Sequence, residues 1–316
     1  MAVGSRPLVP SRLAPVGVMT HGHGGTRTPR SVLGAYLALT KPRIIELLLV
    51  TTVPTMVLAE RGWPPLGLVL VTLLGGTLAA GGANAANMYV DRDLDALMRR
   101  TQSRPLVTGA IEPRAALVFA AVLEGAAVAV LWIGANLLSA LLALGAAVFY
   151  VTVYTLWLKR TSTQNIVVGG AAGAVPVLVG WTAVTGQLDW APLVLFAAMF
   201  LWTPPHFWAL AIRYADDYRT ADVPMLPAVV APVVAARQMV GYTVALVAVT
   251  LVLVPVADLG WIYTIAALVM GAGFVGTTTA LVRGPTPAAS MRVFTFSITY
   301  VTVVFGALML DVLVLG

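Results

Sequence analysis

The sequence predicts an all-α, polytopic membrane protein, and three observations carry that expectation. Of 316 residues, 59% are apolar and only 10% are charged, whereas a soluble domain carries roughly 25% Asp, Glu, Lys and Arg. The mean hydropathy is +0.91. The apolar residues also gather into runs of about 20, the length a helix needs to cross a bilayer core. Cysteine is absent, which excludes disulfides, thiolate metal sites and cysteine nucleophiles together. Eight Trp and nine Tyr are available as interface anchors.

Residues 1–34 are rich in Pro, Gly and Arg, include HGHGGTRTPR and hold no acidic residue. Nothing in them reaches the apolar core of a signal peptide, so no cleavage is expected. Their Gly and Pro content also argues against the amphipathic helix of a mitochondrial transit peptide. They read as a disordered cytoplasmic tail, with His21 and His23 as solvated residues rather than metal ligands. Residues 35–316 read as a single transmembrane domain. Seventeen Arg against two Lys, with abundant Ala, Val and Gly, point to a GC-rich bacterial genome.

Apolar runs occupy about 44–59, 66–88, 115–133, 137–157, 165–184, 191–212, 238–256, 261–282 and 291–313, which predicts nine transmembrane helices. Thr40 followed by Pro42 reads as the start of the first, a hydroxyl cap with proline in the opening turn. Short, almost uncharged loops alternate with longer basic ones. Of the 19 Lys and Arg, only Arg61 falls on the sparse side. The positive-inside rule then places the basic loops and the N-terminus in the cytoplasm and the C-terminus outside. This asymmetry accounts for the net charge of +6 without a nucleic-acid partner.

Seven of the thirteen carboxylates lie in two loops on the basic side. The first stretch, NAANMYVDRDLDALMRRTQSRP (84–105), follows the second span. Asn87, Asp91 and Asp95 are spaced i, i+4, i+8, which places them on one stripe of a helix about 6 Å apart, while Asp93 points elsewhere. Arg99, Arg100 and Arg104 come next. Carboxylates beside a basic cluster suit a cation bridged to a polyanion. Mg²⁺ fits, because it binds through one or two carboxylates plus substrate phosphates, and arginine forks clamp the remaining oxygens. A solvated loop of ordinary surface pairs has the same spacing. Position and repetition favour the first reading. YADDYRTADVP (214–224) follows the sixth span on the same side. Four predicted helices separate Asp91 from Asp217, as in two equivalent halves facing each other across a central cavity open to the cytoplasm.

The runs LTKPRIIELL (39–48), NMYVDRDLDALMRRTQSRPL (87–106), LKRTSTQNIVVGGAAGAVPVLVGW (158–181) and WTPPHFWALAIRYADDYRTADVPMLP (202–227) resemble the UbiA-type intramembrane prenyltransferases. Within them, TPPHFWALA, DVPMLP and NIVVGGAAGAVP resemble the haem-modifying branch, the protohaem IX farnesyltransferase or haem O synthase family. The Asn-xxx-Asp-xxx-Asp element is common to the whole superfamily and marks only a prenyl diphosphate site. Two departures stand out: Val177 where the family often has a second proline, and Asp222 where a small residue is common.

The resemblance implies transfer of a farnesyl group from farnesyl diphosphate to a vinyl group of haem b, giving haem O for terminal oxidases. It implies Mg²⁺ as cofactor, with haem b as substrate, held by Asn87, Asp91, Asp95, Asp216 and Asp217. Arg99, Arg100, Arg104, Lys159 and Arg160 become diphosphate contacts, and Lys41, Arg43 and Tyr218 join them as substrate-binding residues. Asp91, Asp95, Asp217 and His206 become the residues that carry catalysis. The implied partners are the two substrates, the lipid bilayer of the bacterial cytoplasmic membrane, and haem A synthase or terminal-oxidase assembly.

His206, in TPPHFWAL, is the only histidine outside the tail. From the residues alone it reads as a core histidine; the resemblance makes it a haem ligand or base. Trp202, Phe207 and Trp208 serve as packing or as a wall against porphyrin or isoprenoid. Glu46 and Glu124 fall inside spans, Glu46 one turn from Arg43. GGAAGAVPVLVG (169–180) lacks the Lys-Ser/Thr ending of a phosphate loop and reads as a close-packing stretch, kinked at Pro176. Two other readings stay open: a UbiA-type enzyme acting on an aromatic quinone precursor, and a secondary transporter. A transporter would set its charges at midspan on several helices, not in basic loops.

Overall fold

The computed structural model describes residues 29–316, with the side chains of 29–31 and 43–49 outside the described set. Most of the expected tail, including His21 and His23, thus lies outside the described residues. Helix α1 (Pro29–Thr40) begins within the segment expected to be tail. The chain continues through α2 (Pro42–Glu60), α3 (Leu66–Val90), the short α4 (Arg92–Leu97), α5 (Pro113–Gly134) and α6 (Leu137–Thr161). Then come α7 (Asn165–Thr185), α8 (Trp190–Arg213), the short α9 (Ala215–Thr220) and α10 (Leu226–Val229), and finally α11 (Pro232–Val256), α12 (Trp261–Arg283) and α13 (Pro287–Leu315). No strand occurs among the described residues.

Eight of the described helices (α3, α5 to α8 and α11 to α13) are long and apolar enough to cross a membrane. The chain is therefore a multi-pass membrane protein. The first expected span coincides with α2, part of which lacks described side chains, so the described count is eight against an expected nine.

Prolines open α2, α5, α11 and α13, where the missing N–H has no helical partner to lose. Thr40, in contrast, does not cap α2. Its hydroxyl donates back to the Leu37 carbonyl at 2.8 Å and closes α1. Lys41, in the left-handed region at φ 52°, joins the two helices. Asn136 and Thr286 cap α6 and α13 by accepting from the Ser139 and Ala289 amides at 2.9 and 3.1 Å.

Helix α3 packs along α5, α8 lies between α7 and α11, and α13 closes against α2, α8 and α12. Lipid is as apolar as leucine, so these contacts depend on close fit and interhelical hydrogen bonds. The glycine-rich α7 shows the fit. A Cβ on Gly169 would strike the Tyr154 ring at 2.3 Å, and one on Gly180 would meet the Thr52 carbonyl at 2.9 Å. Val177, the sequence departure, is buried in the main core. At the end of the bundle away from the acidic loops, Ser139 bonds Thr182 at 2.8 Å. There too Asp311, buried on α13, accepts the Gly260 and Tyr263 amides at 2.6 and 3.0 Å and caps α12 across the interface.

Candidate active site

One mouth of the bundle gathers the ends of α3, α6 and α8 and the starts of α2 and α7. Helix α3 stops at Val90, yet the i to i−4 bonding runs on through the break. The Asp91 amide donates to the Asn87 carbonyl at 2.9 Å and the Asp95 amide to the Asp91 carbonyl at 2.8 Å. The three side chains therefore stay on one face. Asn87, Asp91 and Asp95 are 3%, 0% and 2% exposed, whereas the Asp93 side chain is 60% exposed.

Each carboxylate of the stripe has a cation from outside its own helix. Lys159, on the last turn of α6, donates to Asp91 Oδ2. Arg104 Nη1 reaches both oxygens of Asp95 at 2.7 and 2.6 Å. Lys41 donates to Asn87 Oδ1 at 2.7 Å, and the Asn87 amide nitrogen donates to Asp91 Oδ2 at 2.7 Å and Thr155 Oγ1 at 3.1 Å. Arg160 holds Asp93 through two 2.8 Å bonds and also donates to the Val90 carbonyl. Asp91 Oδ1 is buried without a hydrogen-bond partner, the Arg160 guanidinium standing 3.9 Å away.

These pairings set the local electrostatics. Burial, with Arg104 and Lys159 nearby, lowers the Lys41 ammonium from its ordinary value to about 7. The hydrogen bonds from Arg160 lower Asp93 to about 2. Burial raises the Tyr218 phenol above its usual range.

The second acidic stretch meets the first through an apolar contact. Leu94 and Met98 pack against Ala221 and Val223, with Tyr218 alongside. Asp217 accepts the Arg100 backbone amide at 3.2 Å, and the Arg100 guanidinium stands 5.5 Å from the centre of the Tyr214 ring. The structure does not draw Asp216 into this cluster. Its side chain is 96% exposed and pairs with Arg219 one turn on. Arg99 is likewise exposed. Asp222 is an exposed turn residue at φ 53°, a conformation that aspartate tolerates better than most residues. The side chains of Arg43 and Glu46 lie outside the described residues. Glu124 lies against Gly82, where an added Cβ would come within 2.8 Å of its Oε1.

His206 lies away from these loops, between α8 and α13. Its Nδ1 is 2.7 Å from the Ser297 hydroxyl, and its ring stacks on Trp202 at 4.2 Å and tilts against Phe294 at 4.6 Å. Trp202 bonds the Ser297 carbonyl at 2.8 Å. Trp208 is fully buried and Phe207 is exposed.

Sequence reasoning missed Thr155, which is completely buried and bonded to Asn87. It belongs to a π-helical stretch, Tyr150–Leu158, within α6, and such stretches recur at functional sites. A signal was present: Thr155 and Lys159 repeat the spacing of Asn87 and Asp91.

A donor set of this kind suits Mg²⁺. Among the described residues no three His, Asp or Glu side chains form a metal cage of their own. Magnesium needs none, since it takes one or two carboxylates and completes its shell with substrate phosphates and water. The unpartnered Asp91 Oδ1 is a buried acceptor with capacity for a cation.

The model of the UbiA prenyltransferase family matches residues 48–303. The chain is 55% identical over 282 residues to the protoheme IX farnesyltransferase of Paenarthrobacter aurescens, covering 88% of each chain. A structure described as digeranylgeranylglyceryl phosphate synthase matches with a TM-score of 0.74 at 17% identity, over 89% of this chain and 98% of that one. A UbiA homologue from Archaeoglobus fulgidus bound to DMAPP and Mg²⁺ matches with a TM-score of 0.58 at 17% identity, over 87% and 99%. The last two likenesses are of fold.

Proposed function

The chain belongs to the UbiA prenyltransferase family, and from that premise we propose that it transfers a farnesyl group from farnesyl diphosphate to a vinyl group of haem b. The observation that carries the acceptor is the 55% identity, across 88% of both chains, to a protoheme IX farnesyltransferase. The bond between farnesyl C1 and the diphosphate oxygen breaks, and a new carbon–carbon bond forms to the vinyl terminus. The cation left beside the porphyrin ring is captured by water, which loses a proton and leaves the hydroxyl of haem O.

No nucleophilic side chain is needed. The protein must stabilise charge on the departing diphosphate and keep water out until the vinyl group has attacked. Asp91, Asp95, Asn87 and Asp217 are the residues that would hold Mg²⁺. When bound, the metal supplies charge neutralisation at the diphosphate. Lys41, Lys159, Arg100 and Arg104 are within reach of the same mouth and would turn their donors to phosphate oxygens. Asp216 and Arg99 serve at most at its rim. The pairing of His206 with Ser297 supports a role in shaping the acceptor side through α8 and α13. Haem O made here would pass to terminal-oxidase assembly.

Orientation follows from charge: the mouth faces the cytoplasm, the N-terminus with it, and the C-terminus lies outside. Cysteine-free, the chain allows a direct check. A single cysteine at position 102 or 220 should stay unlabelled by an impermeant reagent added outside; labelling would reverse the topology.

The experiment for the reaction is incubation of membranes with haem b, farnesyl diphosphate and Mg²⁺, with haem O read by chromatography. Consumption of an aromatic quinone precursor in place of haem would overturn the acceptor and leave the prenyl transfer standing.

A further inference from the structure

We infer that Thr155 is a positioning residue of the site: its hydroxyl fixes the Asn87 amide, and through it the Asp91 carboxylate. The inference rests on the metal–diphosphate reading above.

Helices α3 and α6 run side by side in the same direction at this mouth. Two contacts one turn apart join them, Asn87 to Thr155 and Asp91 to Lys159. The Thr155 hydroxyl donates its proton to the Tyr150 carbonyl, five residues back, at 2.8 Å. Its lone pairs are thereby left to accept from Asn87. The amide has one consistent orientation: its nitrogen faces Asp91, which as a carboxylate can only accept, and its oxygen is left to accept from Lys41.

The Thr155 end of this chain of bonds is fixed by packing that is not part of the acidic loops. Tyr150 stacks on Tyr154 at 5.3 Å. Tyr154 in turn sits where only Gly169 of α7 leaves room, since a Cβ there would strike its ring at 2.3 Å. The π-helical stretch is thus wedged between α3 and α7. It presents a hydroxyl to Asn87 and an ammonium to Asp91 from successive turns. With the amide free to rotate, Asp91 Oδ2 would lose a donor and the carboxylate would have a second orientation. In a buried polar network of this kind each hydrogen bond fixes the orientation of the next group along.

The test uses the full chain in lipid nanodiscs, with Mn²⁺ and inorganic pyrophosphate as probes and electron paramagnetic resonance as the readout. Thr155→Val keeps the shape and removes the hydroxyl, and should weaken Mn²⁺–pyrophosphate binding about tenfold. Thr155→Ser should restore it to within about twofold. In an Asn87→Ala background, Thr155→Val should cost nothing more, because the threonine acts through that amide. Should Thr155→Val not fold, Thr155→Ala removes the same hydroxyl and carries the same expectation. Wild-type affinity in the folded hydroxyl-less variant, or an undiminished loss without Asn87, would overturn the inference. Failure of the wild-type protein to bind the probe pair would instead remove the metal–diphosphate reading, and this inference with it.

Discussion

The two acidic stretches stand at the same mouth of the bundle but hold their carboxylates in opposite environments. Asp91 and Asp95 are buried, and each is held by a cation from outside its own helix. Asp216 and Asp217 sit on a short helix with no buried residue, one paired with Arg219 beside it and the other accepting a single backbone amide. A buried charge must be paired and hydrogen-bonded to exist at all, so the first stretch is fixed before any ligand arrives. The second can move to a ligand without breaking a buried pair. The site is built as one rigid wall and one adjustable rim.

The largest effect that this contrast predicts is at Asp91. Asp91→Asn removes the charge opposite Lys159 and leaves a half-buried ammonium without its partner, a loss on the order of 3–5 kcal/mol for a buried pair. Prenyl transfer should fall by about a hundredfold or more, with a lowered melting temperature in detergent. Near-normal turnover in membranes would mean that the rigid wall is structural only.

Next is the rim. Asp217→Asn should cost turnover while leaving the melting temperature unchanged, because no buried pair is broken. Asp216→Asn should change turnover by less than about twofold, its pair with Arg219 being an exposed one. Equal losses in the two variants would show that the second helix rotates on binding and that the resting arrangement understates Asp216.

Most of the spans were legible in the sequence, because a membrane helix needs an uninterrupted apolar run and leaves little else to decide. The stripe of Asn87, Asp91 and Asp95 was legible for a similar reason, its spacing surviving the helix break at Asp91. What the sequence hid was partnership. Lys41, Thr155 and Lys159 reach the stripe from distant parts of the chain and Arg104 from nine residues on, and nothing in local spacing says which side chain each will meet. The role of Thr40 was hidden by α1, which has too few residues to register as a span and takes that hydroxyl for its own last turn. Asp311 was hidden because its partners are backbone amides of another helix.

Lys41 gives the third prediction, in its dependence on pH. Its folded-state value of about 7 lies below the ordinary value of 10.5. A charged Lys41 therefore costs the fold stability at low pH, and that cost disappears as pH rises through 7 toward 10. Ligand binding runs the other way, since diphosphate selects the ammonium. Pyrophosphate affinity should decline between pH 6 and 8 as the resting protein loses this proton. Lys41→Arg, charged throughout, should flatten the decline. A wild-type profile in the arginine variant would assign the titration elsewhere.

The smallest effect is expected at Asp93, and it sharpens the contrast because this carboxylate belongs to the first stretch yet lives like the second. It lies between Asp91 and Asp95 in sequence but about 100° or more off their stripe at 3.6 residues per turn. Its two bonds to Arg160 are short and hold its carboxyl near 2, yet the pair is exposed, where solvent returns most of what the contact supplies. Its depressed value means that any stabilisation is present above the ordinary carboxylate range and is lost as pH falls toward 2, far below neutral pH. Asp93→Asn should thus shift the melting temperature by no more than a degree or two near neutral pH and leave turnover within about twofold. The released guanidinium still has the Val90 carbonyl and lies 3.9 Å from Asp91, so it would drift toward the unpartnered oxygen of the stripe. Paired thermal melts and turnover assays would read this directly. A loss matching that of Asp91→Asn would mean that Arg160 must be kept away from Asp91 by Asp93, and that the rigid wall extends one residue wider than burial alone defines it.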